Sequence, residues 1–440
     1  MSISISVIIV GGGLAGLATA IGLQRAGHQV TVLEKSPVLG QIGAGIQIPP
    51  NSAKVFKGWG LLDELEKLSI APNIGVMRSY REMKPLSTLD MGEKLVERYG
   101  TPYLLTHRVD LHHLLAKEAE RAGVDIRLGV EVMGVETDTS SQQCPLVRTA
   151  NGEQSLSADL VFAADGERSR CRGSLLGHEM PWKDSGDHVL RATVPVQILQ
   201  EDDELREFVN DLNFWVGPES NALTYSLKRD GLFNVVTTGA HAPDATVQFA
   251  PKPISQEEAL LEFPGWDPLF HRLLRSSTIY ARWTLLHTDM PSKWTNEMGN
   301  FSLIGDAAHA MLPYTGQGAA MAFEDAATIG VLFSSIKNKR QIPDLLTIYE
   351  TMRRPRVTEM HRRVKQVRDI YSMPDGPKQQ ERDRQLREQG PFDGYPNFLA
   401  DPVLQEWMFS YDAFEEAQKA LEMFQKGEFP GTRGTWRLYM

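Results

Sequence analysis

Cysteine is almost missing from this chain: Cys144 and Cys171 are the only two in 440 residues. Two thiols without metal-ligand spacing support neither a disulfide framework nor a zinc site, and they fit a reduced intracellular, cytoplasmic protein. A surplus of positive charge is missing too. The formal net charge is −10, which leaves nothing to neutralise a phosphate backbone and argues against nucleic-acid binding. No apolar run reaches the about eighteen residues of a membrane span. The N-terminal apolar stretch lacks a basic flank and is not expected to be a signal peptide. No internal repeat is found. The basic runs Arg353-Arg354-Pro355-Arg356 and Arg362-Arg363 are interspersed with acids on an expected helix and read as a solvated face.

What remains is a soluble globular composition, 42% hydrophobic and 23% charged, in a chain too long for one ordinary core. Two domains, or one domain with a large insertion, are expected. The organising stretch is Val7-Ile8-Ile9-Val10-Gly11-Gly12-Gly13-Leu14-Ala15-Gly16, running on as an amphipathic helix to Ala26 and returning as Val30-Thr31-Val32-Leu33-Glu34. β-Branched residues predict a buried parallel strand, and the glycines let the chain turn under a helix N-terminus that favours a phosphate. Gly11 supplies the turn, Gly13 room for a pyrophosphate, and Gly16 close packing of helix on strand. Glu34 can accept both hydroxyls of an adenosine ribose. A carboxylate there suits an unphosphorylated ribose, hence FAD or NAD rather than NADP.

The loop from Gly40 to Asn51 is rich in glycine and proline and poor in charge, which suits backbone approach to a flat ligand. Asn51 is expected to cap a helix that carries Val55, Phe56 and Trp59 on one face. Arg108 opens a second helix, stopped by Gly123, and could reach a pyrophosphate or ribityl oxygen; taken alone it reads as a surface arginine. Asp159 to Gly166 is another buried strand, ending in Asp165-Gly166.

Between about 172 and 284 the pattern changes to strands without intervening helices, at Val189 to Pro195, Asn213 to Gly217, Leu223 to Lys228 and Leu232 to Thr238, with Asp230-Gly231 as a two-residue hairpin signal. Period two points Tyr225 inward with Leu223 and Leu227. Arg191 interrupts an apolar strand and either faces solvent or stands as a charge in a cavity. Nucleotide-domain grammar returns at Phe301 to His309, where a buried strand delivers Asp306 to the carboxyl end of the sheet. A long helix follows near Gly318, and its N-terminus can face an anionic group. His309 reads as structural rather than catalytic. Pro374 to Pro396 has few apolar residues and reads as a mobile connection, followed by a last amphipathic helix from about Asp412 to Gln425.

Three separated motifs carry a family resemblance: Gly11-x-Gly13-x-x-Gly16 with Glu34; Ala164-Asp165-Gly166-x-x-Ser169; and Gly305-Asp306-Ala307-Ala308-His309 with Pro313. The sequence resembles the single-component FAD-dependent aromatic hydroxylases (group A flavoprotein monooxygenases), in the salicylate hydroxylase-like branch that includes fungal tailoring enzymes. The resemblance covers roughly the first 360 residues. It implies an α/β fold with a Rossmann-like FAD-binding domain, parallel sheet and flanking helices, at 1–171. A mostly antiparallel β substrate domain is inserted at 172–284, the FAD-binding domain returns at 285–335, and a helical C-terminal region spans 336–440.

By the same resemblance, Glu34 holds the ribose, Arg108 the phosphate or ribityl region, and Asp306 a ribityl hydroxyl. Gly318 and Ala319 meet the isoalloxazine carbonyl through backbone N–H groups, and Ala44 and Gly45 lie along the flavin. Asp165 is linked to both FAD and the nicotinamide cofactor. The implied chemistry is hydride transfer from NADH or NADPH to non-covalent FAD, capture of O2 as a flavin hydroperoxide, and hydroxylation of an electron-rich ring in natural-product biosynthesis or aromatic catabolism. Arg191 and Tyr225 match places where related enzymes hold or ionise a phenolic substrate. Departures lie in the substrate sheet. Asn221 stands where many relatives have histidine, and Ser226 where proline is common, which opens the pocket to a bulkier phenolic or indolic small molecule. Another flavoenzyme on this scaffold (epoxidase, halogenase or oxidase) and a flavin-binding regulator without turnover are the alternatives. A monomer or homodimer is expected.

Overall fold

A computed structural model describes residues 2–40, 45–137, 144–150, 155–241, 247–248 and 250–429. Its first unit is a five-stranded parallel sheet in the order Phe301–Leu303, Leu160–Ala163, Ser6–Val10, Gln29–Glu34, Asp125–Leu128. The central strands are buried on both faces, as their β-branched runs require. All strands run the same way, so Gly11, Glu34, Asp165 and Asp306 arrive at one edge of the sheet from four places in the chain. The strand at 301–303 belongs to this sheet although the preceding hundred or so residues do not.

Helix Leu14–Arg25 was expected to be amphipathic. It is instead buried nearly all round, because helix Gly318–Phe333 covers the side that would otherwise meet water. Glycines allow that approach: a β-carbon on Gly22 would stand 3.0 Å from the carbonyl oxygen of Ala326.

The second unit is an eight-stranded sheet in the order Lys252–Pro253, Ile279–His287, Lys183–Pro195, Leu232–Ala240, Ser220–Leu227, Leu212–Gly217, Ile74–Ser79, Pro85–Asp90. It is antiparallel except where Leu212–Gly217 pairs with Ile74–Ser79. Three details differ from the sequence reading. Helices do intervene, at Val196–Gln200, Gln256–Leu261 and Pro268–Arg275. Two strands come from 74–90, whose short alternation gives no hint of a distant partner. The hairpin loop spans 228–231, between paired Leu227 and Leu232, with Asp230 and Gly231 both at φ 57.

The sheet is two-faced. Leu190, Ala192, Val194, Trp215, Phe233 and Val235 pack on one side with Phe270 and Leu273 of helix Pro268–Arg275 and with Phe263 and Trp266 of the turn before it. The alternate residues, among them Phe214, Tyr225 and Leu227, join the core of the first unit. Contacts of Gly45 with Tyr225 and of Tyr314 with Asp187 tie the second sheet to the loops of the first unit, and the space between its inner face and the strand ends is the candidate cleft.

Helix Ile342–Tyr371 then runs back along the molecule, followed by Pro377–Glu388, Pro402–Phe409 and Ala413–Gln425. The segment read as a mobile connection is an ordered helix and turn. Arg382, Asp383 and Leu386 are buried, and the Tyr395 hydroxyl donates to the Leu386 carbonyl at 3.1 Å. A single buried leucine and an intramolecular ion pair anchor a helix whose composition alone looks solvated. The terminal helix starts as expected, with the Asp412 carboxylate accepting from the N–H groups of Phe414 and Glu415. Among the described residues no helix is long and apolar enough to cross a membrane.

Candidate active site

The three glycines of the first motif stand in different surroundings, two of them at close approaches. Gly11 has φ +106, and a β-carbon there would overlap the Ala164 carbonyl; one on Gly16 would overlap the carbonyl of Gly11. Gly13 has nothing within 4 Å of such an atom, so space lies open at the start of helix Leu14–Arg25. That helix has no side-chain cap, and its first-turn N–H groups lack acceptors within the helix. Glu34 stands beside them, its Oε2 accepting from Gly12 N–H at 2.7 Å and its Oε1 from Ser36 N–H at 2.8 Å.

Asp165 has a more structural placement than its motif suggests. Its carboxylate accepts from the Ser169 hydroxyl at 2.5 Å and from Cys171 N–H at 3.1 Å, so both oxygens fold the Asp-Gly turn. Arg172, which sequence reasoning missed, is buried and donates to the carbonyls of Ala307 at 3.3 Å and Glu167 at 2.9 Å. It ties the Asp165 turn to the Asp306 turn. Asp306 itself is exposed, at the start of the short helix Asp306–His309. Gly305 (φ +55) allows the closeness: a β-carbon there would lie 2.6 Å from that of Ala15.

Across the cleft, the segment 313–318 turns into helix Gly318–Phe333, which has no side-chain cap. Gly318 and Ala319 therefore present free first-turn N–H groups. Tyr314 pins this segment to the roof, donating to Asp187 at 2.5 Å, while Arg368 holds both oxygens of Asp187 at 2.9 and 2.6 Å. A β-carbon on Gly316 would press on the Gln47 amide, 2.7 Å from its Nε2, and Gln47 accepts from the buried Tyr103 hydroxyl at 2.6 Å. Gly45 lies against Tyr225, whose hydroxyl would overlap a β-carbon at that position. Ala44 falls outside the described residues. Arg108 is exposed at the N-terminus of helix Arg108–Ala122, beside the cleft.

Asn51 does not cap its helix; Pro49 does, and Asn51 is fully buried in the first turn. Its amide donates to Gln317 at 3.1 Å and to Glu324 at 2.7 Å. Glu324 also binds Arg356 at 2.7 Å and Arg353 at 2.6 Å, and Asp325 binds Arg353 at 2.8 Å and His309 at 2.6 Å. The reading of 353–356 as a solvated face is thus wrong for Arg353 and Arg356, both buried. Acids at 324 and 325 supply, from another helix, the charge that local periodicity cannot see. His309 is structural, with no solvent exposure. Burial alone would raise the two carboxyls, but Arg356 and Arg353 hold Glu324 below its usual range, and His309 and Arg353 do so for Asp325.

Arg191 lies on the inner face of the roof, resolving the choice left open by periodicity. Its guanidinium carbon sits 5.1 Å from the ring centre of Trp283, and its Nε is buried without a hydrogen-bond partner among the described residues. Among the described residues no ion pair links it to an acid. Burial, and to a lesser degree Arg108, pulls its pKa down, partly opposed by Tyr225. Tyr225 is buried, and the loss of solvation pushes its phenol well above the usual value.

An open, uncapped helix start beside the Glu34 carboxylate, a second uncapped helix start at Gly318 and the exposed Asp306 carboxylate are groups that suit an extended dinucleotide. Fold and site together define a flavoprotein oxidoreductase. A family of FAD binding domains matches residues 4–364. The FAD-dependent monooxygenase OpS4 of Beauveria bassiana is 36% identical over 422 residues, covering 94% of this chain and 96% of its own. The 3-amino-4-hydroxybenzoate 2-monooxygenase PtnB3 of Streptomyces platensis is 33% identical over 412 residues, with coverages of 92% and 96%. A solved salicylate hydroxylase substrate complex, 23% identical, shares the fold with a TM-score of 0.78 over 94% of this chain and 97% of that one. The chain belongs to the FAD-dependent aromatic monooxygenases.

Proposed function

We propose that the protein hydroxylates a phenolic aromatic acid or a related electron-rich ring, bound between the inner face of the eight-stranded sheet and the flavin. The observation that carries this reading is Arg191: a half-buried cation, stacked on Trp283, with no acidic partner among the described residues. A desolvated guanidinium without an anion is costly, and an anionic substrate oxygen offsets that cost. Relatives named for 3-amino-4-hydroxybenzoate and 3-hydroxybenzoate support the substrate class.

Bound FAD supplies hydride acceptance from NAD(P)H and activation of O2. Glu34 would hold the ribose, Gly11, Gly13 and Gly16 the pyrophosphate turn, and Asp306 and Arg108 the ribityl and phosphate region. Gly318 and Ala319 would offer N–H groups to the ring carbonyl, and the loop at Ala44 and Gly45 would lie along the ring. Asp165 supports this site by shaping its turn. Arg191 favours the ionised form of a phenol or carboxylate, and Tyr225, kept protonated by burial, donates a hydrogen bond to it. Phe214 and Leu223, on the same face as Tyr225, keep water away. The balance is ring C–H plus O2, NAD(P)H and a proton giving ring C–OH, water and NAD(P)+.

The domain limits proposed are those of the sequence reading, with the strands at 74–90 joining the substrate sheet. Both cysteines are free, which supports a reducing, cytoplasmic setting; a monomer or homodimer is the proposed assembly, checked by light scattering. The deciding experiment gives the purified yellow protein NADH or NADPH, 18O2 and a panel of hydroxybenzoates. Coenzyme oxidation stimulated by substrate, with one labelled oxygen in the product, supports the reading; oxidation without labelled product rejects it.

A further inference from the structure

Asn234 lies in the middle of the roof and is fully buried, yet among the described residues neither its amide nitrogen nor its amide oxygen has a hydrogen-bond partner. Strand register fixes where it points. Asn234 pairs across the strands with Tyr225 on one side and Thr193 on the other, while Arg191 pairs with Val236. Residues 234 and 236 share a face by period two, so Asn234 stands directly opposite Tyr225 and diagonal to Arg191, on the face that looks into the cleft. Directly opposed and diagonal neighbours on one face lie within reach of a common small group. Among the described residues the inner face thus carries a cation without an anion and, beside it, an amide without a partner.

Buried amides are nearly always satisfied, because an unpaired one forfeits its hydration. Two buried polar side chains on the opposite face of this sheet find partners, whereas the Thr238 hydroxyl, on the same face as Asn234, has none among the described residues. Asn213 donates to the carbonyl of Phe208 at 3.1 Å, and Ser226 to that of Val209 at 2.6 Å. Asn234 differs from them in facing the cleft.

We propose that Asn234 is a specificity-determining residue, whose amide N–H donates to the same ionised substrate oxygen that Arg191 neutralises. This rests on the aromatic-acid reading above. The two groups read different things. Arg191 senses charge, whereas Asn234, with a directed donor, senses where on the ring the acidic group sits relative to Tyr225. A site built to hydrogen-bond a substrate group rejects analogues that lack it more strongly than an apolar pocket rejects a change of size.

The test uses FAD-loaded wild type, Asn234→Leu and Asn234→Asp, with 3-hydroxybenzoate and 3-hydroxybenzamide as probes. Two readouts are taken: the thermal midpoint without probe, and the probe Kd from perturbation of the flavin spectrum. Leucine, similar in volume and free of polar atoms, should raise the midpoint by about 1–3 °C and shrink the preference for the acid over the amide about tenfold or more. Asn234→Asp, which sets a carboxylate beside the bound anion, should weaken the acid probe selectively and covers the case in which the leucine variant fails to fold. A lowered midpoint for Asn234→Leu, or an unchanged acid preference in both variants, overturns the proposal by showing a structural role. If wild type shows no preference for the acid, the aromatic-acid reading falls instead, while the midpoint still decides whether Asn234 is held free for a ligand.

Discussion

The imidazole Nε2 of His309 lies 2.6 Å from the Oδ2 of Asp325, with both side chains sealed from solvent. The same Oδ2 accepts from the backbone N–H of Gly305 at 3.1 Å, so one carboxylate fixes the turn that presents Asp306. Arg353, on the long C-terminal helix, completes the cluster at 2.8 Å from the other Asp325 oxygen. The C-terminal helix therefore bears directly on the cofactor site.

Replacing Asp325 by alanine leaves Arg353 and His309 buried without their anion. Removing one partner of a buried pair costs about 3–5 kcal/mol, and urea denaturation of Asp325→Ala should show a loss of that order, with weaker flavin retention.

Acid should weaken the protein through the same cluster. Glu324 and Asp325 titrate below their ordinary 4.5 and 3.8 in the folded state. Depressed folded values mean that their stabilisation is complete above those ordinary values and disappears as pH falls through the folded ones. Melting points recorded from pH 7 down to pH 3 should hold until about pH 4.5 and then drop, and Asp325→Asn should flatten that drop.

Gly13 and Gly16 should respond oppositely to alanine. At Gly13 the added methyl meets only open space, so the fold should persist while FAD affinity falls, read as loss of yellow colour on gel filtration. At Gly16 the methyl overlaps the Gly11 carbonyl, so Gly16→Ala should yield little soluble protein.

If the exposed Asp306 carboxylate holds the cofactor as proposed, Asp306→Ala should purify largely colourless with an unchanged circular dichroism spectrum. Full occupancy by FAD would remove it from the site.

Arg191→Ala should keep FAD and lose substrate-stimulated NAD(P)H oxidation. Loss of a charged hydrogen bond costs about 1.5–3 kcal/mol, so kcat/KM should fall about 10- to 150-fold. Steady-state kinetics with the best hydroxybenzoate of the panel would show it.

The turns and strand ends proposed to hold the cofactor are legible in the sequence because their signals are local. The glycine spacing, the acid at Glu34 and the strand that delivers Asp306 each lie within one βα unit, where backbone geometry dictates residue type. The substrate side is legible only in part. Period two turns Tyr225 inward, but Arg191 needs its neighbours on three strands before its direction is fixed. Asn51, Arg353 and Arg356 were misread because their partners lie on other helices, and a charged residue looks the same in sequence whether water or a buried acid awaits it. Ile74–Ser79 pairs with a strand about 140 residues away, which no local pattern announces. Helix Pro377–Glu388 was missed because one buried leucine is too few for a periodic signal.

Alternation along the strands of the roof has a practical consequence for changing what the enzyme accepts. Positions such as 191, 225 and 234 can be randomised together while 190, 192, 233 and 235 keep their aliphatic and aromatic neighbours on the far side. A combinatorial library confined to odd or even numbers, strand by strand, would retune selectivity without touching the scaffold that carries it.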